Sequence, residues 1–310
     1  MRRSTAIRAA ACTALAAGLA APLVRRRLGL KPPVVTAVAA TAPFALVVLV
    51  PRSRARDIGV CALQMWAYLA TYSMPNDDPE KLRSRVRVEY PVRADAFLGG
   101  GTTPTLRLQR AFGTPGRFTA WEKLLVWSHW MWFFFPHGTG LYVLLRHRDR
   151  FPRAAVQIYA TFDIGVIAYW AVPTAPPWFA AQRGLMADGR TPELRRMMVE
   201  YGEQFWRHFW DPLYRFLGGN PLAAMPSLHF ATSVTAAHVL SGTGRRAGAL
   251  GWAYASTLGL ALVYLGEHYV VDLAAGLALA EAIQRATPLA APDAARLSRL
   301  VQALEAKARA

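Results

Sequence analysis

Apolar residues in this chain come in blocks of about 15 to 25, separated by short polar and basic connections, and that pattern restricts the fold to a bundle of membrane-length helices. A helix rises about 1.5 Å per residue, so roughly 20 residues cross a hydrocarbon core of roughly 30 Å. Candidate spans cover 9–24, 34–50, 58–72, 121–145, 154–172, 222–240, 247–265 and a last one from near Gly266 to 283. The first is short and Ala-rich, and a cleaved signal-like segment ending near Ala20-Ala21 is the alternative there. The third is short and holds Gln64. The expected fold class is all-α, a polytopic integral membrane helical bundle of six to eight transmembrane helices. Three regions follow: 1–120 with N-terminal membrane segments and an amphipathic connector, 121–285 as a catalytic helical core, and 286–310 as a cytoplasmic tail.

The net charge of +17 would suit a nucleic-acid binder, but the basic residues sit in the connections between apolar blocks. They occupy 146–153, Arg245-Arg246 and the tail with Arg285, Arg296, Arg299, Lys307 and Arg309. The partners implied are the bilayer and a lipid substrate, with no nucleic acid. By the positive-inside rule these connections are cytoplasmic, which puts 74–120, 173–222 and the turn at His268 on the extracytoplasmic side. Arg25-Arg26-Arg27 with Lys31 breaks the rule, since that turn would also lie outside. Cys12 and Cys61 have no paired spacing and suggest neither a disulfide framework nor a metal site.

Two histidine motifs carry the chemistry, Pro226-Ser227-Leu228-His229 and His268-Tyr269-Val270-Val271-Asp272. One span out and one back return the chain to the same face, so His229 and His268 should meet although 39 residues separate them. If the last span begins near Gly266, Asp272 lies one turn after His268 on the same helical face. A carboxylate that fixes one imidazole's tautomer leaves the other ring nitrogen nucleophilic, and a second imidazole can protonate a leaving oxygen. Two alternatives stay open for the same residues: helix-packing histidines, or a zinc site with three ligands.

Ala224–His229 and Tyr264–Asp272 resemble the second and third signature motifs of the type 2 phosphatidic acid phosphatase superfamily. Tyr169-Trp170-Ala171-Val172-Pro173-Thr174-Ala175-Pro176-Pro177-Trp178 resembles a Pro-rich segment of the branch that contains inositol phosphorylceramide synthases, and the likeness covers about 120–285. The resemblance implies that His268 is a nucleophile forming a phosphohistidine, that Asp272 orients it and that His229 protonates the leaving group. It also implies no metal and no cofactor. Three activities are consistent with it: transfer of a lipid headgroup to an inositol-like alcohol, hydrolysis of a lipid phosphate with water as acceptor, or headgroup binding without catalysis.

The sequence departs from the family pattern in three places. Ala261-Leu262 stand where the phosphatases carry a Ser-Arg pair, the Lys and Arg-Pro of their first motif are absent, and Trp178 stands where the related branch often has a basic residue. A dianionic phosphate ordinarily takes bidentate arginine contacts, so fewer cations point towards a phosphodiester of lower charge. Replacement ligands must come from 173–222, which holds Arg183, Arg190, Arg195, Arg196, Arg207 and Arg215. Arg183 and Arg207 lie nearest in the chain to the Pro-containing motifs. With Ser227 and Asn220, the latter in the turn Gly218-Gly219-Asn220-Pro221, they are the candidate substrate-binding residues. The connector 75–116 reads either as an interfacial amphipathic element or as a solvated link. Trp127, Trp130 and Trp132, with His129 and His137 nearby, read as interfacial anchors.

Overall fold

The computed structural model describes residues 2–114, 116–186, 194–212 and 220–309 and is helical, with no strand among the described residues. Four segments are long and apolar enough to cross a membrane: Ser4–Val24, Pro32–Leu49, Phe151–Ala171 and Arg245–Tyr264. They confirm an integral membrane helical bundle.

Prolines set most of the boundaries. Helix α1 spans Arg2–Val24. The expected span 34–50 is two helices, α2 (Pro32–Ala39) and α3 (Thr41–Leu49). The cause is Pro43, which has no N–H to offer the carbonyl of Ala39. Helix α4 spans Arg54–Ser73, with the Ser53 hydroxyl accepting from the Arg56 N–H. The connector folds into α5 (Pro79–Arg85), α6 (Glu89–Leu98) and α7 (Pro104–Phe112). The expected span 121–145 is also broken, into α8 (Ala120–Met131) and α9 (Phe135–Arg146). There Pro136 clashes with continued helix and ends α8 before Trp132. Helices α10 (Phe151–Ala171), α11 (Pro177–Gln182) and α12 (Met197–Trp206) follow.

The remaining helices are α13 (Leu228–Ser241), α14 (Arg245–Tyr264), α15 (Val270–Leu289) and α16 (Ala291–Arg309). The expected span from Leu222 is therefore shorter, since 222–227 stays irregular and α13 covers only about 21 Å. It packs most extensively against α14 and α15 and also touches α9 and α10, so its polar Thr232, Ser233 and Thr235 are buried in protein. The last span begins at Val270 rather than near Gly266, because Gly266 turns at φ +78° and closes α14 first.

Helices α10, α14 and α15 each have one end near the His229–His268 turn, through Tyr169, the Leu262 carbonyl and Asp272, and the other end opposite. At the opposite end the C-terminal helix α16 returns to the bundle, where the buried Glu305 sits 3.2 Å from Arg56 and 3.6 Å from Arg52. Arg56→Met leaves the Glu305 carboxylate with only the peripheral Arg52 and Arg309, and should cost about 3 kcal/mol of stability, read as a lower melting temperature in detergent. At the site end Arg25 and Arg26 pair with Asp77 at 2.7 and 2.6 Å. Burial raises the Asp77 carboxyl, but the two guanidinium groups together outweigh it and hold Asp77 below its usual value. That pairing supplies a countercharge for the arginines that break the positive-inside pattern.

Candidate active site

Three irregular segments meet above the helix ends and fix the site's framework. The Arg87 N–H donates to the Pro173 carbonyl at 2.8 Å, the Ala175 N–H to the Arg87 carbonyl at 2.9 Å, and the Ala224 N–H to the Thr174 carbonyl at 3.0 Å. The connector, the Pro-rich segment and the approach to α13 are thus joined backbone to backbone through Thr174, which is fully buried. From the same segment the Trp178 N–H donates to the Gly266 carbonyl at 3.2 Å and docks the Pro-rich stretch on the His268 turn.

His229 is held by the first turn of α13. Ser227 caps that helix, its hydroxyl accepting from the Phe230 N–H at 3.3 Å. The Tyr169 hydroxyl, on α10, donates to the Pro226 carbonyl at 2.9 Å and accepts from the Leu228 N–H at 3.3 Å. The Trp132 ring packs against the His229 ring with centroids 4.1 Å apart, and the His129 ring lies 4.8 Å away on the same imidazole. Trp132 and Trp130 are therefore not interfacial anchors: the first covers His229 and bonds Thr232, and the second is buried among Tyr201, Trp206 and Trp210.

His268 precedes α15 rather than lying on it. The N–H groups of Glu267 and His268 both donate to the Leu262 carbonyl at 3.0 Å, so the end of α14 sets the histidine backbone. Its Nδ1 lies 3.2 Å from Asp272 Oδ2, and the same oxygen accepts the Tyr269 N–H at 3.0 Å. His268 Nε2 faces His229 Nδ1 at 3.2 Å. The expected meeting of the three residues is present, although the shared helical face is not its cause: Asp272 reaches back from the first turn of α15 to a histidine outside the helix. The carboxylate and His229 occupy opposite ring nitrogens of His268, so the trio forms a line and not a tetrahedral ligand shell.

The two helices are tied at this point by the Ser227 N–H, which donates to the Asp272 carbonyl at 3.0 Å. Around them stand buried polar atoms with no partner among the described residues: Asp272 Oδ1, the Tyr269 hydroxyl, His129 Nδ1 and Asn220 Nδ2. Asn220 is held from both sides, its carbonyl accepting from the Tyr72 hydroxyl at 3.2 Å and its side chain from the Leu222 N–H at 3.2 Å. Neither Arg183 nor Arg207 is bonded to the histidine pair: Arg183 is exposed and stacks 4.4 Å over Phe179, and Arg207 is exposed in a single turn at φ +51°. Arg196 comes nearer, its guanidinium 4.1 Å over Trp178, the residue docked on Gly266. Arg195 is taken by Glu200 at 2.6 Å, and Arg190, Arg215, Gly218 and Gly219 lie outside the described residues.

One acidic residue was not legible as part of this site. Asp95, fully buried on α6, accepts from the Val271 N–H at 3.0 Å and the Val270 N–H at 3.2 Å. A second buried carboxylate, Glu122 on α8, accepts from the Tyr264 hydroxyl at 2.9 Å and braces the end of α14. Nothing local marks Asp95, whose amide partners lie more than 170 residues away, whereas Glu122 also closes a capping box with Thr119 at the start of α8.

A helical membrane bundle with a carboxylate–histidine–histidine line at one end defines a class, and comparison with known proteins narrows it. A model of the PAP2 superfamily matches residues 119–286, more than half of the chain, and the chain belongs to that superfamily. Among curated proteins, the phosphoinositol dihydroceramide synthase of Bacteroides thetaiotaomicron is 28% identical over 143 residues, a stretch covering 44% of this chain and 45% of that protein. The chain thus matches less than half the length of that relative. No solved structure matches.

Proposed function

We propose that this protein is a membrane phosphotransferase that exchanges the headgroup of a lipid phosphodiester through a phosphohistidine on His268, with an inositol-like polyol as acceptor. The observation that carries this is the line Asp272 Oδ2, His268 Nδ1, His268 Nε2, His229 Nδ1, with both contacts between residues at 3.2 Å. Asp272 accepts the Nδ1 proton and leaves the Nε2 lone pair directed at the position where phosphorus would enter. An N···N separation of 3.2 Å leaves no room for that atom, so substrate entry has to part the two rings. His229 then meets the leaving oxygen.

In the first half-reaction Nε2 bonds to phosphorus, the P–O bond to the leaving alkoxide breaks, and His229 gives that oxygen its proton. In the second, His229 takes the proton from the acceptor hydroxyl, the new P–O bond forms, and the P–N bond breaks. Water in the acceptor's position would make the same site a phosphatase. Transfer is favoured by Ala261 and Leu262, which are fully buried aliphatic groups where a phosphatase would set a Ser-Arg pair. A phosphodiester carries one charge where a monoester carries two, so it needs fewer cations. The Bacteroides relative, named a phosphoinositol dihydroceramide synthase, supports transfer over hydrolysis. Arg196, over Trp178 beside the His268 turn, is the guanidinium best positioned to meet the phosphate.

The basic connection Arg52–Arg56 meets the C-terminal helix at the end of the bundle opposite the site, whereas Arg25 and Arg26 at the site end are paired with Asp77. That separation supports an extracytoplasmic active site. Turnover of labelled phospholipids by the purified protein, with and without inositol, tests the whole reading. An inositol-dependent lipid product, lost in His268→Ala, is the expected result, whereas free phosphate formed regardless of inositol would replace transfer with hydrolysis.

A further inference from the structure

We propose that Asp95 is a positioning residue of the catalytic line: by holding the first two amides of α15 it keeps the Asp272 carboxylate turned towards His268. This rests on the phosphohistidine reading above. The residue lies in the connector, outside the stretch 119–286 that the superfamily model matches, and 175 residues before the amide of Val270.

The first turn of α15 offers three amides to two carboxylates, and the structure divides them. Asp95 takes Val270 and Val271 with one oxygen each, at 3.2 and 3.0 Å, while Asp272 Oδ2 takes only the Tyr269 N–H and faces His268. Helix N-terminal amides strongly favour a carboxylate cap. Without Asp95 the open amides of Val270 and Val271 would compete for Asp272, whose Oδ1 has no partner among the described residues. Rotation of Asp272 into that role would release the Nδ1 proton of His268. Asp95 is not a surface cap that happens to be nearby: it is fully buried where α6 packs on α15 and beside α7 and α11.

Its charge also bears on the site. Burial raises the Asp95 carboxyl to about 6, against the pull of the Val271 and Val270 amides, and the charge of Asp272 adds to the rise. The other groups near it are the Tyr269 hydroxyl from the α15 side and cations on the neighbouring elements. Arg93 on α6 pairs with Glu89 at 2.7 Å, Arg107 and Arg110 on α7 are exposed, and Arg183 after α11 stacks on Phe179. The buried charge beside the catalytic line is therefore carboxylate next to carboxylate.

The test uses the full chain in detergent and the headgroup-transfer assay. Asp95→Asn keeps one acceptor but drops the charge. It should lower kcat roughly 10- to 100-fold through misplacement of Asp272 and remove from the kcat pH profile the inflection at about 6 that the Asp95 carboxyl contributes, with Asp95→Glu restoring part of both. A cap that served only stability would lower the melting temperature and leave the pH profile in place. In the unaltered protein labelled with 15N-valine, the amide resonances of Val270 and Val271 should titrate together with a midpoint of about 6. Wild-type kcat and pH profile in Asp95→Asn, or flat Val270 and Val271 amides across that range, would overturn the assignment. Absence of turnover by the wild type would count against the phosphohistidine reading instead, and the valine titration alone would then decide whether Asp95 holds the helix.

Discussion

His268→Ala is expected to remove turnover of every substrate, a fall of roughly 10⁴-fold or more, because no other group on the line offers a lone pair at the position of Nε2. The companion variants separate the roles. Asp272→Asn keeps the shape of the side chain but presents an amide that can donate to Nδ1, which moves the imidazole proton onto Nε2 and blocks attack. A loss of about 10²- to 10⁴-fold is expected. His229→Ala leaves the nucleophile intact and removes the proton donor, so its loss should shrink with a substrate whose leaving group needs no proton, such as a nitrophenyl phosphodiester. Rapid quench with a 32P-labelled donor checks all three: a base-stable, acid-labile adduct should form in the wild type, be missing in His268→Ala, form slowly in Asp272→Asn, and persist longer in His229→Ala. Full activity in all three variants would sink the mechanism.

The parts of this site visible in the sequence are those set by local rules. Apolar block length and one intervening turn suffice to bring His229 and His268 to one end of the bundle, and a four-residue interval suffices to bring Asp272 within 3.2 Å of His268. The route to that contact was less legible, since Gly266 at φ +78° stops α14 and leaves His268 in a turn, where hydrophobic periodicity alone continues the helix. Breaks at Ala40 and Trp132 have the same character: a proline three or four residues downstream ends a helix inside a block that is apolar throughout. The second tier of the site was not legible at all. Asp95, Tyr169 and His129 reach the catalytic line from three different helices and Trp132 from the turn after α8, and hydrophobic patterning records how buried a position is, not which distant side chain it meets. Sequence proximity likewise favoured Arg183 and Arg207, whereas stacking on Trp178 brings Arg196 to the turn that carries His268.

Activity should also depend on one glycine that carries no chemistry. Gly276 lies on the face of α15 against the start of α13, and a Cβ there would stand 2.6 Å from the Ser227 carbonyl oxygen and 3.4 Å from the Ala231 nitrogen. Both are backbone atoms of the helix that carries His229, so no side chain can swing aside to make room. Gly276→Ala must push the first turn of α13 away from α15, which strains the Ser227 N–H bond to the Asp272 carbonyl and widens the His229–His268 gap. Overpacking of this kind costs about 1–3 kcal/mol, and a displacement of about 1 Å at the reacting groups costs about 100-fold in rate. Gly140 on α9 gives the control, because a Cβ there meets only Ile158 Cδ1 at 3.8 Å. Gly140→Ala should leave kcat unchanged and raise stability by about 0.4–1 kcal/mol through the less flexible unfolded chain. Measured side by side in detergent, kcat and melting temperature should fall together in Gly276→Ala and diverge in Gly140→Ala. Equal kcat in the two variants would show that the close approach of α13 and α15 is not what aligns the histidines.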